Sequence, residues 1–184
     1  MNTALLLIDM QKDYFPGGRM ELGGANEAAK AAGRLLADFR KRELPVIHVQ
    51  HISNRQGAGF FLSGSDGVNF NENVAPRENE TVIQKNFPNS FRSTDLNNIL
   101  QKDGIKQIVV CGMMSHMCVN STVRAAVDLG YRCIVAHDAC ATRSLAFQGE
   151  EISADYVHAV SMAALDSLYA QVITVDEVIN GFFR

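Results

Sequence analysis

The sequence has no long apolar segment and no excess of charge of one sign. It contains 17 lysine and arginine residues against 20 aspartate and glutamate residues, a net charge of -3, and both signs are spread along the chain. Such a chain offers no basic stripe to neutralise a phosphate backbone, so we predict no binding to nucleic acid. The apolar run Ala4 to Ile8 is too short for a signal sequence or a membrane span. We therefore expect no membrane association and a cytoplasmic location.

Cysteine pairs at the spacing of a metal site or a disulfide scaffold are also missing. The sequence separations between the four cysteines, Cys111, Cys118, Cys133 and Cys140, are 7, 15 and 7. This spacing matches neither a zinc site nor a small secreted domain, so all four are predicted to be free thiols. The glycine pairs do not form the dinucleotide fingerprint G-x-G-x-x-G. We expect no cofactor and no metal.

What the sequence does contain is an alternation of short apolar runs with helix-length segments. Hydrophobic residues make up 47% of the 184 residues, which suits one globular domain over residues 1–184. Runs rich in Val, Ile and Leu predict strands buried on both faces. The predicted strands are ALLLI (4–8), PVIHV (45–49), TVIQ (81–84), QIVVCG (107–112), RCIVA (132–136) and QVITV (171–175).

The segments between these runs are rich in Ala, Leu and Glu and predict helices. Because strands that alternate with helices form right-handed βαβ units, we expect a doubly wound, mostly parallel six-stranded sheet in a three-layer α/β/α sandwich. The stretch from Ser53 to Glu80 is rich in Gly and Asn and predicts a long functional loop. The predicted helices are Asn26 to Arg42, Asp95 to Lys102, His116 to Leu129 and Glu150 to Tyr169.

Three polar residues follow or end predicted strands. Asp9 ends the first strand, Lys85 ends the third, and Cys118 comes shortly after the fourth. Taken singly, they are typical of a turn carboxylate, a surface lysine and a buried thiol. Open parallel sheets bind ligands beyond the carboxyl ends of their strands, so together they indicate a nucleophile with its charged partners.

The residues around Cys118 favour a helix start. Ser115 is a good N-cap, and small or β-branched residues then recur at helical spacing. Cys118 is therefore predicted to lie in the first helical turn. Free N–H groups and the helix dipole favour a thiolate there and can hold an oxyanion.

The segments LLIDMQKDYF, VIQKNFPNSF, VVCGMMSHMCVNSTVRAAVDLGY and DACAT closely resemble the isochorismatase-like superfamily of cysteine hydrolases along essentially the whole chain. The resemblance implies that Asp9 takes the thiol proton, Lys85 stabilises the charged pair and Cys118 attacks a carbonyl carbon to form a thioester. It also implies an oxyanion hole at the amides of Met114 and Cys118, with a cis peptide at Met113–Met114. A small-molecule substrate and a homodimer or homotetramer are expected on the same ground.

The sequence departs from nicotinamidases of this superfamily, whose metal site needs an Asp-x-His set after the second strand. Only His48 and His51 are available here, and strand alternation directs them to opposite faces. His51 is expected to line the pocket. Aromatic rings in the strand-end loops would suit a small planar or apolar carbonyl compound, with candidate walls at Phe15, Phe60, Phe61, Phe87 and Phe91.

The leading hypothesis is hydrolysis of a small carbon–nitrogen bond, of the amide, imide or ureido type, without a metal. One alternative is an isochorismatase-type ether or ester hydrolase that uses Asp9 as acid and base, although isochorismatases proper lack the cysteine. Another is a binder of small molecules on the same scaffold that has lost catalysis. A redox sensor is disfavoured because the chain has no C-x-x-C pair.

Overall fold

The computed structural model describes residues 2–181, which contain eight strands and five α-helices. The strands are β1 (Thr3–Ile8), β2 (Val46–His51), β3 (Thr81–Lys85), β4 (Gln107–Met113), β5 (Arg132–Ala141), β6 (Leu145–Phe147), β7 (Glu150–Ile152) and β8 (Gln171–Ile173). The helices are α1 (Ala25–Lys41), α2 (Leu96–Lys102), α3 (Asn120–Asp128), α4 (Ala154–Ala163) and α5 (Val175–Gly181).

Six strands form one parallel sheet in the order β3-β2-β1-β4-β5-β8. The chain builds one half outward from β1 to β3 and then returns to build the other half from β4 to β8. The direction of winding reverses between β1 and β4, and ligand crevices of doubly wound folds lie at such a point. The predicted three-layer fold and its six-stranded sheet are confirmed.

Burial along the strands corrects one expectation. All residues of β1 and β4 are buried, as predicted for central strands. The outer strands β3 and β8 are only partly buried: Val82 is 43% exposed and Gln171 is also exposed. Both runs are apolar enough to enter a parallel sheet, but their position at its edges leaves one side of each without a neighbouring strand.

A glycine determines how closely the two central strands approach. Gly112 pairs with Ile8 and has a φ of 133°, a left-handed conformation that L side chains rarely adopt. A Cβ atom at this position would lie 2.1 Å from the backbone oxygen of Ile8. The close contact of β1 with β4 at the switch point therefore requires glycine.

Helices cover the sheet. Helix α1 forms because Ala and Leu recur at intervals of three and four residues, including Ala28, Ala32, Leu35, Leu36 and Phe39, all buried. It packs against β5 and α5. Helix α3 packs against β5, and α4 packs against the turn after β4.

Several predicted boundaries were wrong. The strand predicted over 171–175 ends at Ile173, and α5 begins at Val175. The segment predicted as one helix from Glu150 to Tyr169 begins as strand β7, which pairs with β6 in an antiparallel hairpin, and its helix spans only Ala154–Ala163. Strand β5 continues to Ala141, beyond the predicted end at residue 136. The register between β4 and β5 shifts where this longer strand passes Gly112.

The predicted loop from Ser53 to Glu80 has only short 3-10 turns at Asp66–Val68 and Glu72–Val74. It is held against the segment that follows β1. Gln11 Nε2 donates to the Val68 carbonyl over 2.9 Å, and the buried Asp13 carboxylate accepts from the Phe61 amide over 2.6 Å. These bonds place the loop over the carboxyl ends of β1 and β2.

Within residues 2–181, no helix has the length and apolar character needed to span a membrane.

Candidate active site

The three residues predicted from the strand ends lie together. Asp9 follows β1, Lys85 is the last residue of β3, and Cys118 lies in the turn after β4. The Lys85 side chain extends from the edge strand past the end of β2 to reach the Asp9 carboxylate. Asp9, Lys85 and Cys118 are 0%, 1% and 5% exposed. A buried carboxylate and ammonium require a partner, and each has the other.

The Lys85 ammonium is the centre of the site. Its Nζ atom lies 2.7 Å from Asp9 Oδ2, 3.0 Å from His51 Nδ1 and 3.3 Å from Cys118 Sγ. Burial alone would lower the pKa of Lys85, but the charge of Asp9 and the hydrogen bonds to Asp9 and Cys118 outweigh it and raise that pKa. Lys85 is therefore a fixed positive charge.

The surroundings of Cys118 favour its thiol over its thiolate. Burial raises its pKa first, the Asp9 carboxylate raises it further, and Lys85 only partly offsets the two. Burial therefore opposes the thiolate that the start of the helix is predicted to favour. Nucleophilic attack requires that the thiol proton move to a base, and the Asp9 atom Oδ1 is buried without a hydrogen-bond partner among the described residues.

Cys118 lies in the first turn of a helix, as predicted, but the type of this turn and its N-cap differ from the prediction. Residues Ser115–Val119 form a single π-helical turn, and α3 begins after it. Ser115 is not an N-cap, because its hydroxyl donates to the Ala141 carbonyl over 3.3 Å and lies 2.8 Å from His158 Nδ1. The peptide bond Met113–Met114 is cis, as the resemblance implied.

Asp9 has an unusual backbone. Its φ of 52° lies in the left-handed region, which aspartate tolerates better than most residues. The Asp9 amide donates to the Val49 carbonyl over 3.0 Å, which ties the turn to β2. This local conformation follows directly on a fully buried strand and places the carboxylate beside Lys85.

The two histidines of β2 face opposite sides, as strand alternation predicted. His48 Nε2 lies 2.9 Å from Glu80 Oε2, whereas His51 Nδ1 faces Lys85. The ligand atoms of Asp9, His51 and Cys118 lie within 4.8 Å of one another, a spacing that suits a metal ion. The Lys85 ammonium contacts all three residues and supplies the positive charge that a metal would bring, so this donor set does not fit a metal.

An aromatic cluster lies beside the centre. Tyr14 packs edge-on against Phe61 with ring centroids 4.6 Å apart, and Phe60 lies 5.8 Å from Tyr14 and 5.0 Å from Phe61. The His51 ring is 5.8 Å from Phe61. Three of the predicted pocket residues, His51, Phe60 and Phe61, therefore lie in one continuous group with the triad.

Tyr14 was not among the predicted site residues. It is 2% exposed, and burial, together with nearby Cys118 and Asp9, raises the pKa of its hydroxyl. We find no hydrogen bond to this hydroxyl within residues 2–181. The sequence offered one indication of Tyr14: it stands directly before Phe15, which was itself a predicted pocket residue.

The other predicted pocket residues lie in different surroundings. Phe15 is buried in the core. Phe91 stacks on Tyr131 with ring centroids 6.2 Å apart, and the Arg92 guanidinium lies 3.8 Å above the Phe87 ring. The structure does not bring these three into the group formed by the triad, His51 and Tyr14.

Comparisons with known proteins agree with one another. Residues 3–177 match the model of the isochorismatase domain family. The isochorismatase family protein YddQ of Bacillus subtilis is 52% identical over 96% of this chain and 98% of its own length.

Solved structures show the same fold. A protein from Oleispira antarctica that carries the name isochorismatase hydrolase superposes with a TM-score of 0.95 at 49% identity, covering 98% of this chain and 97% of that one. The N-carbamoylsarcosine amidase of Thermoplasma acidophilum superposes with a TM-score of 0.82 at 26% identity, covering 96% and 98%.

Proposed function

The chain belongs to the isochorismatase family of hydrolases, and from that premise we propose that it is a cysteine-dependent enzyme that hydrolyses a carbon–nitrogen bond. The substrate is a small amide, imide or ureido compound, and no metal takes part. The observation that carries the proposal is the Lys85 ammonium, which contacts both the Asp9 carboxylate and the Cys118 sulfur in a buried site.

The first half of the reaction forms a thioester. As Cys118 Sγ bonds to the substrate carbonyl carbon, the thiol proton passes to Asp9, whose Oδ1 has a free lone pair. Lys85 stabilises the negative charge that develops on sulfur. The amides of Met114 and Cys118 are the proposed donors to the carbonyl oxygen. The carbon–nitrogen bond then breaks, and the leaving amine takes its proton from Asp9.

The second half releases the acid. A water molecule gives a proton to Asp9 and attacks the thioester carbon, and Cys118 leaves as a thiolate beside Lys85. The proton then returns from Asp9 to sulfur, which restores the resting thiol. Because the thiol and the carboxylate exchange one proton throughout, the enzyme needs no thiolate at rest.

One named relative supports the bond type. The Thermoplasma acidophilum protein is an amidase by name, and it shares this fold over nearly its whole length. Cleavage of an amide needs a strong nucleophile and a proton for the leaving nitrogen, and Cys118 and Asp9 supply them.

A second candidate function is hydrolysis of an ether or ester with Asp9 as acid and base. The observation in its favour is the raised pKa of Cys118, which keeps the sulfur neutral at rest. In that case the thiol serves as a pocket wall. A small-molecule binder without catalysis is the third reading, and the buried ion pair with an adjacent thiol argues against it.

The test is turnover of a panel of small amides, ureides and esters by the wild type and by Cys118→Ala. We expect the variant to lose at least about a thousandfold in rate, whereas Cys133→Ala, which removes a buried thiol outside the site, keeps its rate. Full activity of Cys118→Ala with loss in Asp9→Asn would establish the acid and base route instead.

A further inference from the structure

His51 completes the hydrogen bonding of the central ammonium. It is the last residue of β2 and pairs in register with Lys85, and its Nδ1 lies 3.0 Å from Lys85 Nζ. We propose that neutral His51 is a positioning residue, which accepts a hydrogen bond from Lys85 and so holds the ammonium between Asp9 and Cys118. This inference rests on the proposed function, because it concerns the reactivity of Cys118.

The number of donors supports this role. A lysine ammonium has three N–H donors, and Lys85 has three acceptors, Asp9, His51 and Cys118. A side chain without an acceptor in place of His51 would leave one N–H of a buried ammonium unsatisfied. The ammonium would then shift toward another acceptor and away from the position in which it donates to the Cys118 sulfur.

The side chain of Gln11 holds the backbone of His51 at both its amide and its carbonyl. Gln11 Nε2 donates to the His51 carbonyl over 2.9 Å, and the His51 amide donates to Gln11 Oε1 over 2.7 Å. Gln11 is itself fully buried. A rigid backbone and a ring that packs near Phe61 make His51 a precise anchor for the longer and more flexible lysine side chain.

The proposed bond fixes the tautomer. Because Nδ1 accepts from an ammonium, the proton of the neutral ring is on Nε2. The charged and titratable groups that face the ring are Lys85 on β3, Asp9 after β1 and Cys118 in the turn after β4, with Phe61 of the loop as the apolar neighbour. Burial and the Lys85 charge lower the pKa of His51, and Asp9 opposes them.

A pH dependence follows from the sign of this shift. Above its lowered pKa the ring is neutral and can accept from Lys85. Below that pKa the ring is protonated, cannot accept, and repels the ammonium. The lowered pKa of His51 lies under the ordinary histidine value of about 6.5. Below that lowered pKa, Cys118 should lose reactivity more steeply than thiol ionisation alone requires.

The experiment measures the rate at which iodoacetamide alkylates Cys118 across the range from acid to mildly alkaline pH, located by peptide mass spectrometry. His51→Asn keeps an acceptor near the position of Nδ1, and His51→Leu removes it. His48→Asn is the matched control, since His48 lies on the same strand but contacts Glu80.

We expect His51→Leu to be alkylated about tenfold more slowly than the wild type at neutral pH, and His51→Asn to recover to within about threefold. At acid pH the logarithm of the rate should fall with a slope clearly above one in the wild type and His48→Asn, and with a slope near one in His51→Asn. Thermal unfolding of each variant checks that it is folded.

Two results would overturn the inference. One is a folded His51→Leu with the wild-type rate and acid slope. The other is a folded His51→Asn as slow as His51→Leu, since the ring and not the acceptor would then matter. Failure of the proposed function would show instead in the turnover panel, as full activity of Cys118→Ala, and would leave the alkylation rates of the His51 variants unaffected.

Discussion

Lys85 is the side chain on which both the stability and the chemistry of the site depend. Among the described residues, its ammonium is the ion-pair partner of the fully buried Asp9 carboxylate. Lys85→Met has similar length without charge and leaves Asp9 as an uncompensated buried ion. We expect it to lower the free energy of unfolding in urea by about 3–5 kcal/mol and to slow alkylation of Cys118.

A double variant separates the two effects. Asp9→Asn with Lys85→Met removes both charges, and we expect it to regain most of the lost stability while the enzyme stays inactive. If the double variant were as unstable as Lys85→Met alone, the ion pair would not be the reason for the lost stability.

Tyr14 differs from Tyr131, a buried tyrosine that lies outside the site. Tyr131 donates to Asn97 over 2.8 Å, whereas we find no partner for the Tyr14 hydroxyl in the described part of the chain. Tyr14→Phe should leave the free energy of unfolding unchanged and, if the hydroxyl donates to substrate, lower kcat/KM about three- to tenfold.

Tyr131→Phe is the matched control for Tyr14→Phe. It should cost about 1 kcal/mol of stability by urea unfolding and leave kcat/KM unchanged. The opposite pattern, with Tyr14→Phe less stable and equally active, would show that the hydroxyl has a structural role.

The triad could be predicted because the carboxyl ends of parallel strands converge. This inference requires only the order of the apolar runs along the sequence. Tyr14 could not be predicted, because Tyr14 and Phe15 are neighbours and only the packed structure shows that it is Tyr14 that joins the rings of Phe60 and Phe61. The raised pKa of Cys118 could not be predicted from the sequence either, since it depends on burial that only the packed structure defines.

At the scale of elements, the contact of β1 with β4 forms the floor of the site. Gly112→Ala would bring a Cβ atom into the backbone of Ile8 in a left-handed conformation. We expect a loss of about 3 kcal/mol or more in urea unfolding. Gly23→Ala has open space around it and should change stability by less than about 1 kcal/mol. Equal stability of the two variants would contradict this account of the strand contact.

The strands were found in the sequence because each is a short Val- and Ile-rich run between longer segments. The hairpin of β6 and β7 was missed because its strands have three residues each and β7 carries two glutamates, which resemble the start of a helix. The full length of β5 was missed because His137 and Asp138 interrupt its apolar run. Such short or polar strands depend on tertiary pairing more than on local pattern.

At the scale of the molecule, α4 has an apolar face that the described chain does not cover. Tyr156 and Val160 are 72% and 67% exposed, and Ala159 and Ala163 lie beside them at helical spacing. Phe147 of the neighbouring hairpin is 67% exposed. We propose that a second copy of the chain covers this face, because its exposed side chains on α4 are apolar and lie together with Phe147.

Sedimentation velocity tests the oligomer. We expect the wild type to sediment as a dimer or tetramer at micromolar concentration, and the double variant Tyr156→Lys with Val160→Lys to sediment as a monomer. Lys30→Glu on α1 is a control for added charge at an exposed position and should not change the oligomer. A monomeric wild type would contradict the proposed face.

The winding reversal between β1 and β4 brings Asp9 and Cys118 to one crevice, and Lys85 reaches it from the edge strand. The central claim is that Cys118 forms a covalent thioester there. Its most direct test is intact-mass spectrometry of the wild type and Cys118→Ala after brief incubation with small amides, ureas and activated esters. We predict a mass increase by the acyl group in the wild type alone, released by hydroxylamine. Turnover without any adduct, retained in full by Cys118→Ala, would contradict the claim.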